Sequence, residues 1–479
     1  MEARDIFKNI SPIDHRYSVS ESSVYESLVP WISEEALISS CIKAEIALVF
    51  AHLKVRGELT PAVRAELEKC TASPEEVYAE EEKTRHNIRA LVNVLKTKVP
   101  AKIVPLVHLG ATSVDILDTS LSWRIAGVTR EAVLPLLKKL ELLLCSFAEK
   151  EAETPQVGRT HGQHAVPITL GFAFAEYVSR LGKSVLEIEK RSKELKGKLS
   201  GAVGAYNATS MIVKDPQELE RIYLEELGLE PSEHSTQLVE PEYLLRLLLE
   251  FNTAFGIIAN LADDLRNLQR SEIGEVREGF TADQVGSSTM PQKRNPWNSE
   301  HVKSLWKAFM PRVNTFFMDQ ISEHQRDLSN SASQRFISDY IVGFCLAVSR
   351  MSKVIEGLGT DKERLLANLR GGGIPGGIMA EPAYILLAET GVGDAHEVIR
   401  KITLTAEKEN ISFAAALAKE PETLKKIGGK LAELGLITAR TDGSTEEALS
   451  FFENPQRYSG LAAKKAKTLA EKYRALMGG

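Results

Sequence analysis

Eleven consecutive residues, Gly286-Ser-Ser-Thr-Met-Pro-Gln-Lys-Arg-Asn-Pro296, bring hydroxyls, two fixed cations and a helix start together. Residues 279–286 show no hydrophobic period, so Ser287 and Ser288 fall in a loop. Downstream, Asn295 is placed to cap a helix whose first turn opens with Pro296. A helix N-terminus carries partial positive charge and unpaired N–H groups, and Lys293 and Arg294 add full charges beside it. The segment 279–296 therefore reads as a lid that takes a carboxylate. The chemistry this suits is removal of a proton from carbon beside that carboxylate, whose developing dianion needs preorganised donors. A serine serves as base only where loop closure excludes water and nearby cations and N–H dipoles favour the alkoxide.

Other segments supply partners. In Lys83-Thr-Arg-His-Asn87, Arg85 and His86 can clamp a carboxylate or phosphate and steer a proton. In His108-Leu-Gly-Ala-Thr-Ser113, the glycine turn lets backbone N–H groups approach a ligand, and Thr112 and Ser113 add donors at a helix start. In Gly158-Arg-Thr-His-Gly-Gln163, His161 precedes a long helix and is the best candidate for a general acid. His161 and His164 lack the spacing and the third ligand of a metal pair, so no metal or cofactor is expected. Gly371-Gly-Gly-Ile-Pro-Gly-Gly377 lacks the ending of a phosphate loop and reads as a connection.

These segments must be positioned by helices. Leu170, Phe172, Phe174, Val178, Leu181, Val185 and Leu186 repeat at a helical period through 170–197. From Pro241 to Leu268 apolar residues crowd nearly every face, which requires burial all round. Further long patterns run from Pro296 to Glu323, with a kink expected at Pro311, and from Arg335 to Leu358. The chain is thus mainly α, a long-helix bundle. Its 479 residues exceed one core and divide into about three regions, 1–100, 101–359 and 360–479. A net charge of −6 leaves no basic field for nucleic acid. The N-terminus has no apolar signal core and no stretch reaches about 18 uninterrupted apolar residues, so no membrane partner is expected. Cys41, Cys70, Cys145 and Cys345 are scattered, as in a chain of the reducing cytoplasm.

The lid string resembles that of the fumarase/aspartase superfamily. The ending Met-Pro-Gln-Lys-Arg-Asn-Pro296, the run Lys83-Thr-Arg-His86, Leu268-Gln-Arg-Ser-Glu272, Arg326-Asp-Leu-Ser-Asn-Ser331 with Arg335, and the pair Arg16-Tyr17 are similar, more narrowly, to the adenylosuccinate lyase family. The likeness spans the chain to about residue 335 and is looser beyond.

The resemblance implies β-elimination of fumarate. It makes Ser287 the base at the succinyl Cβ, His161 the acid that protonates the departing nitrogen, and Glu300 the group that orients it. Lys293 and Asn295 belong beside the carboxylates, with Ser288, Thr112 and Ser113 as further donors. Arg16, Tyr17, Arg85, His86, Asn87, His108, Arg294, Arg326, Ser331 and Arg335 hold the nucleotide substrate, and Gln237 meets its base region. His86 also counts among the catalytic set. The resemblance further implies a homotetramer whose sites draw on three subunits. Asn87 stands where the family commonly has aspartate. Gln292 is shared with argininosuccinate lyases, whose lid has two lysines in place of Lys293-Arg294. A carboxymuconate cycloisomerase has a similar lid but lacks the nucleotide segments. An inactive helical scaffold would have no reason to keep Ser287, His161, Lys293 and Glu300 together.

Overall fold

The computed structural model describes residues 5–280, 288–438 and 445–478. Helices dominate, and the strands are short: the hairpin of Pro155–Thr160 with Gln163–Thr169, and two pairs of two-residue strands. The described residues group into two compact units. The first comprises Met1–Lys139, Lys183–Ala259 and His301–Arg350, and the second Leu140–Gly182, Asn260–Glu300 and Met351–Gly479.

The long helices run Leu134–Lys150, Leu170–Lys193, Glu242–Leu268 and Ile337–Glu356. The 170 helix ends at Lys193 rather than 197, because Lys196 and Gly197 pair in parallel with Glu230 and Pro231. The pattern after Pro296 is not one helix. Trp297–Phe309 passes into a tight turn, Met310–Arg312, and resumes as Val313–Met318. Pro311 has no N–H to give to the ladder and its ring crowds the preceding turn, so the axis breaks where it stands.

In the first unit, Phe344 stacks on Phe251 with centroids 5.4 Å apart and meets Phe255 edge-on at the same distance. All three rings are buried. Such pairs add about 0.5–1.5 kcal/mol each beyond the area they bury. Gly343 is there because a Cβ would come within 2.3 Å of the Phe309 ring. Helices 22–55 and 242–268 are long and apolar enough to cross a membrane by length and composition, yet 83% and 56% of their most apolar windows are buried inside the protein. In the second unit, helices after residue 377 close around Phe413, Phe451 and Phe452.

Candidate functional site

The candidate residues sort into two sets, one on each unit. Arg16, Tyr17, Arg85, His86, Asn87, His108, Thr112, Ser113, Gln237, Arg326, Ser331 and Arg335 belong to the first. His161, Ser288, Lys293, Arg294, Asn295 and Glu300 belong to the second. Ser287 lies outside the described residues.

In the first unit a cavity of about 990 Å³ brings together His86, Asn87, Ser113, Gln237, Arg326, Ser331 and Arg335. That volume is at the upper end for a small-molecule site. Its position is set by local caps. The helix Pro74–Thr84 ends on Arg85 in the left-handed conformation (φ 55°), and His86 immediately begins Asn87–Lys98, its Nδ1 accepting the Arg89 N–H at 3.2 Å. With Nδ1 an acceptor, Nε2 carries the proton of the neutral ring, which suits donation to a ligand oxygen. Thr112 caps Ser113–Val128 in a capping box with Asp115, and Gln237 Nε2 reaches Thr112 Oγ1 at 3.5 Å. Asp115 is fully buried and accepts from Lys198 Nζ and from the N–H groups of Ser200 (3.2 Å) and Gly201 (3.3 Å), which ties the 198–201 loop to the helix start. Asp118, in the cavity wall, accepts the Val239 N–H at 3.0 Å and so pins the loop bearing Gln237. Burial pushes its carboxyl up to about 6, against the pull of that N–H and of Lys198 and Arg326.

Other members stand apart from this cavity lining. Tyr17 Oη is 3.0 Å from His301 Nε2, next to an exposed Arg16. Burial, with Arg350 and Arg16 nearby, lowers the His301 pKa. His108, at φ 63°, has Nδ1 2.6 Å from Oε1 of the fully buried Glu45. The sequence reading missed Glu45. Its signal was a lone acid inside the apolar run Ala44–Ala51, where only a partner justifies its burial.

In the second unit His161 occupies the tip of the hairpin. Thr160 pairs with Gln163, so the turn has two residues, His161 (φ 53°) and Gly162 (φ 75°). Positive φ at both is the type I′ turn that right-twisted strands favour, and it normally takes Asn or Gly at the first place. A histidine tolerates it at a local cost of the kind found at functional sites. The ring is exposed within the chain. His164 lies against Gly372, and its pKa is lowered by burial and by Arg159.

The Trp297–Phe309 helix receives its cap from Glu278, whose carboxylate accepts the N–H groups of Asn298 (3.2 Å) and Ser299 (2.8 Å) and the Ser299 hydroxyl (2.6 Å). An acid 20 residues upstream thus takes the helix-end donors assigned to a guest carboxylate, and its charge suits the positive end of the dipole. Gln269 joins both stems of the segment, accepting the Glu278 N–H at 2.8 Å and donating to the Arg294 carbonyl at 3.3 Å. Ser288, Lys293 and Arg294 are exposed, with the Arg294 guanidinium 4.7 Å from the Phe280 ring centre. Glu300 lies 3.8 Å from Arg266.

Residues 19–308 match the family model described as lyase, and residues 322–436 match adenylosuccinate lyase C-terminal. The fold is shared with solved structures of a 3-carboxy-cis,cis-muconate lactonizing enzyme from Pseudomonas putida (TM-score 0.77, 23% identity, 96% of this chain and 98% of that one) and a fumarate lyase from Mesorhizobium (0.77, 21%, 94% and 97%). The mainly α chain thus belongs to the lyase family of that model and shares the fold of these enzymes. Adenylosuccinate lyase from Pyrococcus abyssi is 34% identical over 87% of this chain and 91% of its own length. That from Methanocaldococcus jannaschii is 31% identical over 96% of each. The chain belongs to the adenylosuccinate lyase family.

Proposed function

We propose that this chain eliminates fumarate from adenylosuccinate to give AMP, and from the succinylated aminoimidazole carboxamide ribotide, in cytoplasmic purine biosynthesis. The observation that carries the reading is the cavity that gathers Arg326, Arg335, Ser331, His86, Asn87, Ser113 and Gln237 from four separate stretches of sequence. Two guanidiniums and an imidazole donor serve a phosphate, and the amide of Gln237 serves a base edge. Asn87 keeps a hydrogen-bonding group without the charge of aspartate.

In this reading Ser287 takes the Cβ proton while Lys293, Asn295 and Ser288 stabilise the dianion, and His161 delivers a proton to the departing nitrogen. Electrostatic stabilisation of the aci-carboxylate is the larger task, since a single well-placed donor is worth about 3–4 kcal/mol in such transition states. No metal or redox cofactor enters these steps. The same reading divides the chain at residues 100 and 359 and assembles four copies around the long helices, each site taking Ser287, His161 and the nucleotide cavity from different chains. An exposed His161 is compatible with such insertion into a neighbour.

The test is fumarate release by the purified protein from adenylosuccinate and, separately, from argininosuccinate, with Ser287→Ala as control. Release from the first alone, lost in the control, is the expected result. Release only from the second, or from neither, would overturn the proposal.

A further inference from the structure

We propose that Glu275 is the positioning residue for the proton donor at His161, a role that rests on reading His161 as the general acid. Glu275 is fully buried, and both carboxylate oxygens are doubly engaged. Oε2 accepts from Gln156 Nε2 (2.8 Å) and Arg159 Nη1 (3.2 Å), and Oε1 accepts from Arg159 Nη2 (2.6 Å) and Asn368 Nδ2 (2.9 Å). A carboxylate has about four acceptor positions, and all are filled here. The backbone is fixed as well: its N–H donates to the Leu268 carbonyl at 2.9 Å and its carbonyl accepts the Asp361 N–H at 3.0 Å.

What this anchor holds is the strand that ends in His161. Gln156 and Arg159 both lie on Pro155–Thr160, and Arg159 is two residues from the imidazole. The hairpin ladder shifts register between Val157 and Arg159, so only the pairs Arg159–His164 and Thr160–Gln163 lie beyond the irregularity. A bulge bends and twists its strand locally, and two pairs alone leave the tip's direction weakly determined. The forked contact of Arg159 on Glu275 fixes the strand just past the irregularity, in a bidentate geometry that specifies orientation as well as distance. Asn368, on the helix Lys362–Arg370, ties the same carboxylate to a second element, so the tip is referenced to the body of the unit rather than to its own stem.

The experiment compares steady-state kinetics of Glu275→Gln, His161→Ala and the double variant on adenylosuccinate, with circular dichroism and thermal unfolding to confirm folding. Glu275→Gln should lower kcat by about 10- to 100-fold, the scale of a misplacement near 1 Å, while KM stays within about threefold. In the His161→Ala background the same change should cost nothing further, because the anchor then has no donor to place. A second loss of equal size in that background, or an unchanged kcat in the single variant, would overturn the proposal. Parental kcat in His161→Ala alone would instead remove the reading of the acid, and is seen without reference to Glu275. Should Glu275→Gln fail to fold, Asn368→Ala and Gln156→Ala carry the same comparison, each removing one donor. A kcat loss present in the parent and absent beside His161→Ala supports the role, and no loss in either variant overturns it.

Discussion

His108 Nδ1 stands 2.6 Å from Glu45 Oε1, joining a half-exposed ring to a carboxylate with no solvent access at all. Among the described residues the second oxygen of Glu45 is buried without a hydrogen-bond partner, so the imidazole is what offsets the cost of placing this acid in an apolar helix. With Nδ1 engaged, Nε2 is the atom left to meet a ligand. Glu45→Ala should raise KM for adenylosuccinate about tenfold with kcat nearly unchanged, the equivalent of about 1.4 kcal/mol of binding. Steady-state kinetics decide it, and an equal loss in kcat would place His108 in the proton transfers.

Glu278 gives a second test, of the lid base. Glu278→Ala removes the cap of the Trp297–Phe309 helix and should lower stability by about 1–2 kcal/mol, the upper range for caps. Because the helix start carries the chain of Lys293 and Asn295, kcat should fall along with it. Denaturant midpoints and kinetics measured on one preparation check both. A Glu278→Ala midpoint equal to the parent's would contradict the cap.

The assignment of the base is tested by Ser287→Ala, which should lower kcat by orders of magnitude with substrate binding retained. Greater damage from Ser288→Ala would transfer the role. Mixing inactive Ser287→Ala and His161→Ala chains and reassembling them should recover part of the activity. Failure of rescue in demonstrably mixed assemblies would speak against sites shared between subunits.

A pH prediction comes from Glu141, away from the chemistry. It is fully buried, and among the described residues one oxygen accepts a hydrogen bond from the Cys145 thiol at 3.9 Å while the other has no hydrogen-bond partner. Burial pushes its carboxyl from 4.5 up to about 9. The folded chain therefore holds a proton that the unfolded chain releases, and stability contributed below pH 4.5 is lost as pH rises toward 9. Glu141→Gln should gain on the parent steadily across that window. Urea midpoints at pH 5, 7 and 8.5 check this, and a difference that does not vary with pH would contradict it.

Much of this was legible in the chain. The helices Leu170–Lys193, Glu242–Leu268 and Ile337–Glu356 announce themselves because their apolar residues keep a helical period for many turns, and Pro311 breaks its helix because no context supplies the missing N–H. His86, Ser113, Arg326 and Arg335 were named from motifs and meet in one cavity. What the chain concealed were contacts at long range. Glu278 caps Trp297–Phe309 from 20 residues upstream, and Glu45 and Glu275 look like ordinary acids until the residues facing them are known. Propensity reads neighbours along the chain, whereas a buried carboxylate is defined by neighbours across it.

The elbow at Arg85 and His86 has a consequence for how this chain can change. Two helices meet there with no spare residue: Arg85 closes one and His86 opens the next. Side chains at such a joint can be exchanged at modest cost, but its length cannot. One inserted residue would rotate the following helix by about 100° per residue, carrying His86 and Asn87 away from Ser113 and Arg335. Variation across descendants of this chain should therefore be written in letters at this joint and never in spacing.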